Sequence, residues 1–273
     1  MPSNSTKTIR IAAKVLGTKY SPYYLSRRRS QNARIGSLIG ALQPMQTEHP
    51  LVRVGQGADG GYLCPDDFEG ITHCFSPGVS NLVLFERHLF ERYGVRSFLC
   101  DAAVERPAAD FPFEFDRKFV GAHNDDTFMT LDAWFHRYLD GDHETGDMLL
   151  QMDIEGAEYQ TLLSAPDALL AKFRIIAIEF HHLFKMLDYV AFPIIDAAFR
   201  KLLTTHVVVH AHPNNNQGAV KIGDVVIPDV MEMAFLRRDR AKRLSPATTF
   251  PHPLDLDCDP DRQPLVLPKC WYE

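Results

Sequence analysis

Apolar positions gather at Met148, Leu149, Leu150 and Met152, a run long enough for a buried strand but short for a helix. The run stops on Asp153; Glu155, Gly156 and Glu158 crowd a sharp turn, and residues 157–163 then read as the first turns of a helix. The same pattern recurs on both sides. His73-Cys74-Phe75-Ser76 predicts a short strand, followed by the turn Pro77-Gly78-Val79-Ser80-Asn81. A helix comes next, with Leu82, Phe85, Leu89, Phe90 and Tyr93 on one face, Ser80 or Asn81 as its cap and Gly94 as its stop. Ser97-Phe98-Leu99-Cys100-Asp101 is a second strand ending on an acid. Residues 107–115 are rich in Pro and Phe without a clear period, and Phe119-Val120-Gly121 predicts a third strand. Thr130 is placed to cap a helix carrying Leu131, Trp134, Phe135 and Tyr138. Further strands are predicted at residues 174–182 and 206–210, separated by an amphipathic segment from Leu183 to Leu203 in which Pro193 marks a break or a new first turn. The turn His212-Pro213-Asn214-Asn215-Asn216 leads to a return through residues 225–228 and 231–236, expected to be antiparallel. Nearer the start, Leu51-Val52-Arg53-Val54, the Asp59-Gly60 turn and the turn at residues 65–67 predict a hairpin leading into the main sheet.

Strands alternating with helices predict an α/β chain with a parallel sheet. With 273 residues and 45% hydrophobic content, the chain can bury a sizeable core. The first 47 residues contain no Asp or Glu but carry Lys7, Arg10, Lys14, Lys19, Arg27, Arg28, Arg29 and Arg34. The division expected is a basic arm over residues 1–48, an α/β domain over 49–245, and an extended, Pro- and Asp-rich tail over 246–273 packed on the domain. The arm suits an anionic membrane surface or an anionic substrate; the plainer alternative is an arm that packs on the domain or on a partner subunit with solvated charges. Net charge is −6 and the pI about 6.0, which gives no general argument for a nucleic-acid partner. The chain lacks an apolar run of transmembrane length and the apolar core of a secretory signal. Its five cysteines form no C-x-x-C pair, which suits a reducing compartment and no structural zinc. A cytoplasmic location is therefore expected.

Ligands of open α/β sheets sit beyond the carboxyl ends of the strands. Three closely spaced carboxylates at such an end, Asp153, Glu155 and Glu158, mark a candidate site; the bland alternative is a set of acids favoured by a helix N-terminus. The order of Gly turn, helix, strand and acid from Gly78 to Asp101 is that of a nucleotide-binding half, with Asp101 on the ribose hydroxyls. His181 and His182 follow the strand that carries Glu179, and imidazole suits a general base, although both can be ordinary turn residues. Asp153, Glu155, Glu179, His181, His210 and His212 could together ligate a divalent ion, yet none has the tight spacing of a metal motif, and no metal is assigned. His212, Asn214 and Asn215 leave a core-like strand at its carboxyl end and are expected to face an acceptor pocket.

The residues Met152-Asp153-Ile154-Glu155-Gly156-Ala157-Glu158, followed by Ile178-Glu179-Phe180-His181, resemble the paired signature of the FkbM-type methyltransferases. Asp59-Gly60-Gly61-Tyr62, His212-Pro213-Asn214-Asn215, Ile227-Pro228-Asp229 and Glu232 resemble a related methyltransferase-like branch; the resemblance spans roughly residues 53–238. It implies a Rossmann-like, seven-stranded, mostly parallel sheet with a reversed last strand and helices on both faces. It further implies S-adenosylmethionine as cofactor and O-methylation of a hydroxyl on a sugar, glycan or natural product. Catalysis is then expected from Asp153 with His181 or His182, cofactor binding from Gly78, Ser80, Asp101 and Asp153, and acceptor binding from Glu155, Glu179, His212, Asn214 and Asn215. The turn after the first strand departs from the family's glycine-rich pattern, having one Gly and a Pro. A non-catalytic binding protein that kept the fold is the alternative.

Overall fold

The computed structural model describes residues 30–57, 60–139 and 146–273. Asp59 and the basic residues before Ser30 lie outside them. The main sheet has seven strands, labelled in chain order: β1 (Ile71–Pro77), β2 (Arg96–Cys100), β3 (Phe113–Asp116), β4 (Asp147–Met152), β5 (Phe173–Phe180), β6 (His206–Pro213) and β7 (Met231–Arg237). Their spatial order is β6-β7-β5-β4-β1-β2-β3. Every pair is parallel except that β7 runs antiparallel to both β5 and β6. The fold class is the one expected; the reversed strand is last in the chain but lies one place in from the edge.

The chain builds β1, moves outward to β3, then returns to lay β4 on the other side of β1. That reversal puts the switch point, beside which doubly wound sheets hold ligands, at the carboxyl ends of β1 and β4. β5 and β6 are buried at all eight of their positions, as apolar strands covered on both faces must be. One face packs α1 (Asn32–Ala41), α3 (Leu131–Tyr138), α4 (Glu158–Ser164), α5 (Asp167–Leu170) and α6 (Phe192–Thr205) against Phe75, Leu150, Ile176 and Phe235. The other face packs α2 (Leu84–Tyr93) and the hairpin of Leu51–Val54 with Tyr62–Pro65 against Cys74, Leu149, Ile175 and Ala177. α1 lies inside the residues read as the basic arm, and its Ile35, Leu38 and Ile39 are core residues, so this part packs on the domain as the plainer alternative has it. Met45–Gln46 also pairs with Ser245–Pro246. Trp271 anchors the tail, donating from Nε1 to the Val226 carbonyl at 2.9 Å.

Local signals hold where the sequence is explicit. Thr130 Oγ1 accepts the Ala133 amide at 3.1 Å, and Gly94 ends α2 at φ 70°. Pro193 opens α6 after a separate 3-10 turn at Leu183–Leu187. Other expectations fail for physical reasons. α2 begins at Leu84 without a side-chain cap, because Ser80 Oγ instead accepts the Leu82 amide at 3.0 Å. Leu82 therefore precedes the helix and is 74% exposed. Phe119–Gly121 pairs with Phe128–Thr130 in a ribbon of its own, and the strand beside β2 is β3, within the stretch that showed no period. The hairpin of residues 51–65 lies over the sheet and not in it, and Val225–Pro228 pairs with Ala219–Ile222 apart from β7. No described helix is long and apolar enough to cross a membrane.

Candidate functional site

β4 ends beside the turn that follows β1. The Asp153 amide donates to the Pro77 carbonyl at 3.1 Å, and the Gly78 amide to the Cys100 carbonyl at 2.9 Å. Gly78 has φ 84°, and a Cβ there would lie 1.5 Å from the Asp153 carbonyl oxygen. The glycine is therefore demanded by the approach of the chain's own backbone. After Asp153 the chain turns sharply through Glu155 at φ 56° and Gly156 at φ 104°. Glu155 and His182 (φ 58°) are the two non-glycine residues with positive φ among the described residues, and they flank the same cluster. Such strain persists where surrounding structure enforces it, often at functional sites.

His181 is the centre of that cluster. Its Nδ1 donates to Glu158 Oε1 at 3.0 Å. Glu158 is 0% exposed and also accepts the Gly156 amide at 2.9 Å. Around His181 Nε2 stand Glu155 Oε2 at 3.4 Å, Glu179 Oε2 at 3.6 Å and Asp153 Oδ1 at 3.8 Å. Asn214 Nδ2 donates to the other Glu179 oxygen at 2.7 Å. Strand register continues the polar row. Ile178 pairs with Met152, so Asp153 and Glu179 leave adjacent strands side by side; Glu179 pairs with Glu232, and Glu232 with His212. Beneath the row, Ser76 Oγ bonds to Glu86 and to Gln151, and Gln151 Nε2 donates to the Tyr62 hydroxyl at 3.3 Å.

Crowded acids in a dry place resist ionisation. Burial, then the Glu179 charge, push the Asp153 carboxyl up to about 9. Burial and Glu179 likewise raise Glu232 well above the carboxylate range. For His181 burial works against the charged form, but Glu158, joined by Glu179 and Asp153, outweighs it and its pKa rises to about 9. Burial raises the Tyr62 hydroxyl, with Asp153 adding to the effect.

Asp153, Glu155, Glu179, His181 and Asn214 thus meet in one place. His182 sits at its rim, with a side chain 44% exposed and Nδ1 3.8 Å from Asp229. His212 has its Nδ1 3.3 Å from Asp255 Oδ2, while His210 donates to Asp255 Oδ1 at 2.8 Å. Against burial, these two histidines hold the Asp255 carboxyl well below the usual range. His210 and His212 therefore do not join the acids around His181. Asn215 departs from expectation. Its Nδ2 donates to the Asp259 carbonyl at 2.8 Å and its Oδ1 accepts the Asp259 amide at 2.9 Å, so it fastens the tail and does not face an acceptor pocket. Ser80 is exposed and occupied with its own turn. Asp101 is half-buried at the end of β2, one carboxylate oxygen accepting the Ala103 amide at 2.6 Å.

Sequence reading passed over Glu158 as an orienting group, Asp255 in the tail and Asp116. Asp116 accepts from Trp134 Nε1 at 2.9 Å and from the Tyr138 hydroxyl at 2.8 Å, which docks α3. The crowding of acids after Asp153 was the available signal for Glu158; Asp255 carried none. No protein-family profile matches the chain, and no curated protein matches it. Chemically, the cluster can hold a cation, orient hydroxyl groups through Glu179 and Asn214, and expose one imidazole, His182, to a reactant.

Proposed function

We propose that the chain is an S-adenosylmethionine-dependent O-methyltransferase acting on a hydroxyl of a sugar, glycan or natural product. One observation carries the reading: a seven-stranded sheet with a reversed last strand has its acid and imidazole cluster at the carboxyl ends of β4 and β5, next to the switch point between β1 and β4. The signature residues that resemble the FkbM-type enzymes are the ones that make this cluster. The cofactor fits at Asp101, whose carboxylate has acceptor capacity left for ribose hydroxyls, and beside Asp153, whose buried Oδ1 has no hydrogen-bond partner among the described residues. Gly78 serves that site only through shape, since its open face is filled by Asp153.

When bound, S-adenosylmethionine supplies a methyl on a sulfonium: the new O–C bond forms as the S–C bond breaks, leaving a neutral thioether. The chain's own residues align the acceptor and remove its proton. Glu179 and Asn214, already bonded to each other, offer an acceptor and a donor to neighbouring hydroxyls. Glu158 fixes His181 with Nε2 toward the reactants. His182 takes the hydroxyl proton; it is open to solvent, and Asp229 stands where it favours the resulting imidazolium.

The experiment is incubation with methyl-labelled cofactor and a panel of saccharides and hydroxylated natural products. Label stable to mild alkali, as an ether is and an ester is not, is expected, with loss in Asp153→Asn and a large fall in kcat in His182→Ala. Gly78, packed by the chain's own carbonyl, favours a second reading, a binding protein with this fold. Saturable cofactor binding without transfer to any acceptor class would support that reading and overturn catalysis.

A further inference from the structure

We propose that Asp153, Glu179 and His181 form a site for a divalent cation of the Mn2+ or Zn2+ kind, with Glu155 able to join. One ligand atom from each of the three lies within 4.8 Å of the others. The contacts that His181 Nε2 makes with Glu155, Glu179 and Asp153, at 3.4, 3.6 and 3.8 Å, are too long for hydrogen bonds. Donors held at about 2.1 Å from one ion stand roughly 3.0–3.5 Å from one another, so an ion placed here would draw the Glu179 and Asp153 oxygens toward His181 Nε2 from their present 3.6 and 3.8 Å.

The surroundings are those of a supported metal centre. A metal-bound imidazole commonly gives its second N–H to a carboxylate, which fixes the tautomer and aims the free nitrogen at the metal. Glu158, fully buried and held by the Gly156 amide, does this for His181. Asn214 steadies Glu179 through the oxygen that faces away from His181. Asp153 Oδ1 is buried and has no hydrogen-bond partner among the described residues. An oxygen left so is costly unless something absent from the chain binds it. The next member of the row, Glu232, adds a further buried acid. One imidazole among carboxylates suits Mn2+ or Zn2+ better than Mg2+ or Ca2+, which prefer oxygen alone. The site stands on this geometry. Its role rests on the methyltransferase reading: the cation would bind the acceptor hydroxyl, lower its pKa and leave His182 an easier proton to take.

The test uses the full chain, stripped with chelator and titrated with Mn2+ in the absence of cofactor, free Mn2+ being read by electron paramagnetic resonance; a calorimetric titration with Zn2+ runs in parallel. One saturable site per chain is expected. Asp153→Asn and Glu179→Gln should each weaken it at least tenfold, and Glu158→Gln, which touches no ion, about 10- to 100-fold. Far-ultraviolet circular dichroism identifies any variant that fails to fold, and the remaining variants decide. Absence of saturable binding of either ion to the wild-type chain, or binding that survives both Asp153→Asn and Glu179→Gln, overturns the site and shows that His181 alone balances the acids. Because no cofactor is present, metal binding with no methyl transfer would sink the enzymatic reading and leave the site standing. Methyl transfer that persists in chelator would leave the enzymatic reading standing and overturn the cation's part in it.

Discussion

Replacing Gly78 by alanine puts a methyl group into a space that the backbone of Asp153 already fills. The new Cβ would lie 1.5 Å from the Asp153 carbonyl oxygen, 2.4 Å from its carbon and 3.1 Å from Ile154 Cγ2. Two strands must then part by more than a hydrogen bond tolerates. The Asp153 amide bond to Pro77 and the Gly78 amide bond to Cys100 are the contacts at risk, worth about 1–3 kcal/mol together. The left-handed φ of 84° adds about 1–2 kcal/mol for any residue with a Cβ. The sum is about 2–5 kcal/mol. Gly94→Ala is the matched control, because Gly94 has φ 70° and a Cβ there would meet nothing within 4 Å. It should lose only the conformational part, about 1–2 kcal/mol. Urea unfolding followed by circular dichroism, with equal m-values required, measures both. If Gly78→Ala is no worse than Gly94→Ala, the turn after β1 is open in solution, Asp153 is not seated against it, and Gly78 is free for the cofactor as its sequence position first suggested.

Two further substitutions test the fold away from the cluster's acids. Burial lowers the His206 pKa to about 4, the Phe173 carbonyl bond opposing the shift. A group with a depressed folded pKa and an unfolded value near 6.5 stabilises a histidine-containing fold above that value and loses the contribution as pH falls toward 4. Between pH 7 and 4 the wild type should therefore lose about 3 kcal/mol more than His206→Gln; parallel urea curves for the two proteins would contradict the burial of a neutral imidazole. Asn215→Ala should lower stability by about 1–2 kcal/mol through the two lost bonds to Asp259 and speed tryptic cleavage at Arg262, with cofactor affinity unchanged. Unaltered stability with weakened acceptor binding would restore Asn215 to the pocket.

The sheet was legible because β4 and β5 are near-continuous apolar runs, which only strands buried on both faces require. Asp153 and Glu179 were legible for the same reason: each polar residue stands out where such a run reaches its carboxyl end. β3 was not, since Phe113, Glu114, Phe115 and Asp116 make a short edge strand with too few residues for a period. Nor could local pattern show that Glu232 would pair with both Glu179 and His212, because register between distant strands is set by packing. Asn215 misled because consecutive amides beside a strand end suit a ligand, while their partner, Asp259, arrives 44 residues later in a tail without periodicity. His210 and His212 misled likewise: Asp255, which claims both, lies in that same tail.

The central claim, that the carboxyl ends of β1, β2 and β4 take S-adenosylmethionine, is tested most directly by calorimetric titration of the cofactor and of its demethylated thioether into the full chain. Two temperatures guard against a vanishing enthalpy. Saturable one-to-one binding of both compounds is expected, weakened at least tenfold in Asp101→Ala with unfolding behaviour preserved. No heat at either temperature with millimolar cofactor, or binding indifferent to Asp101, would contradict it.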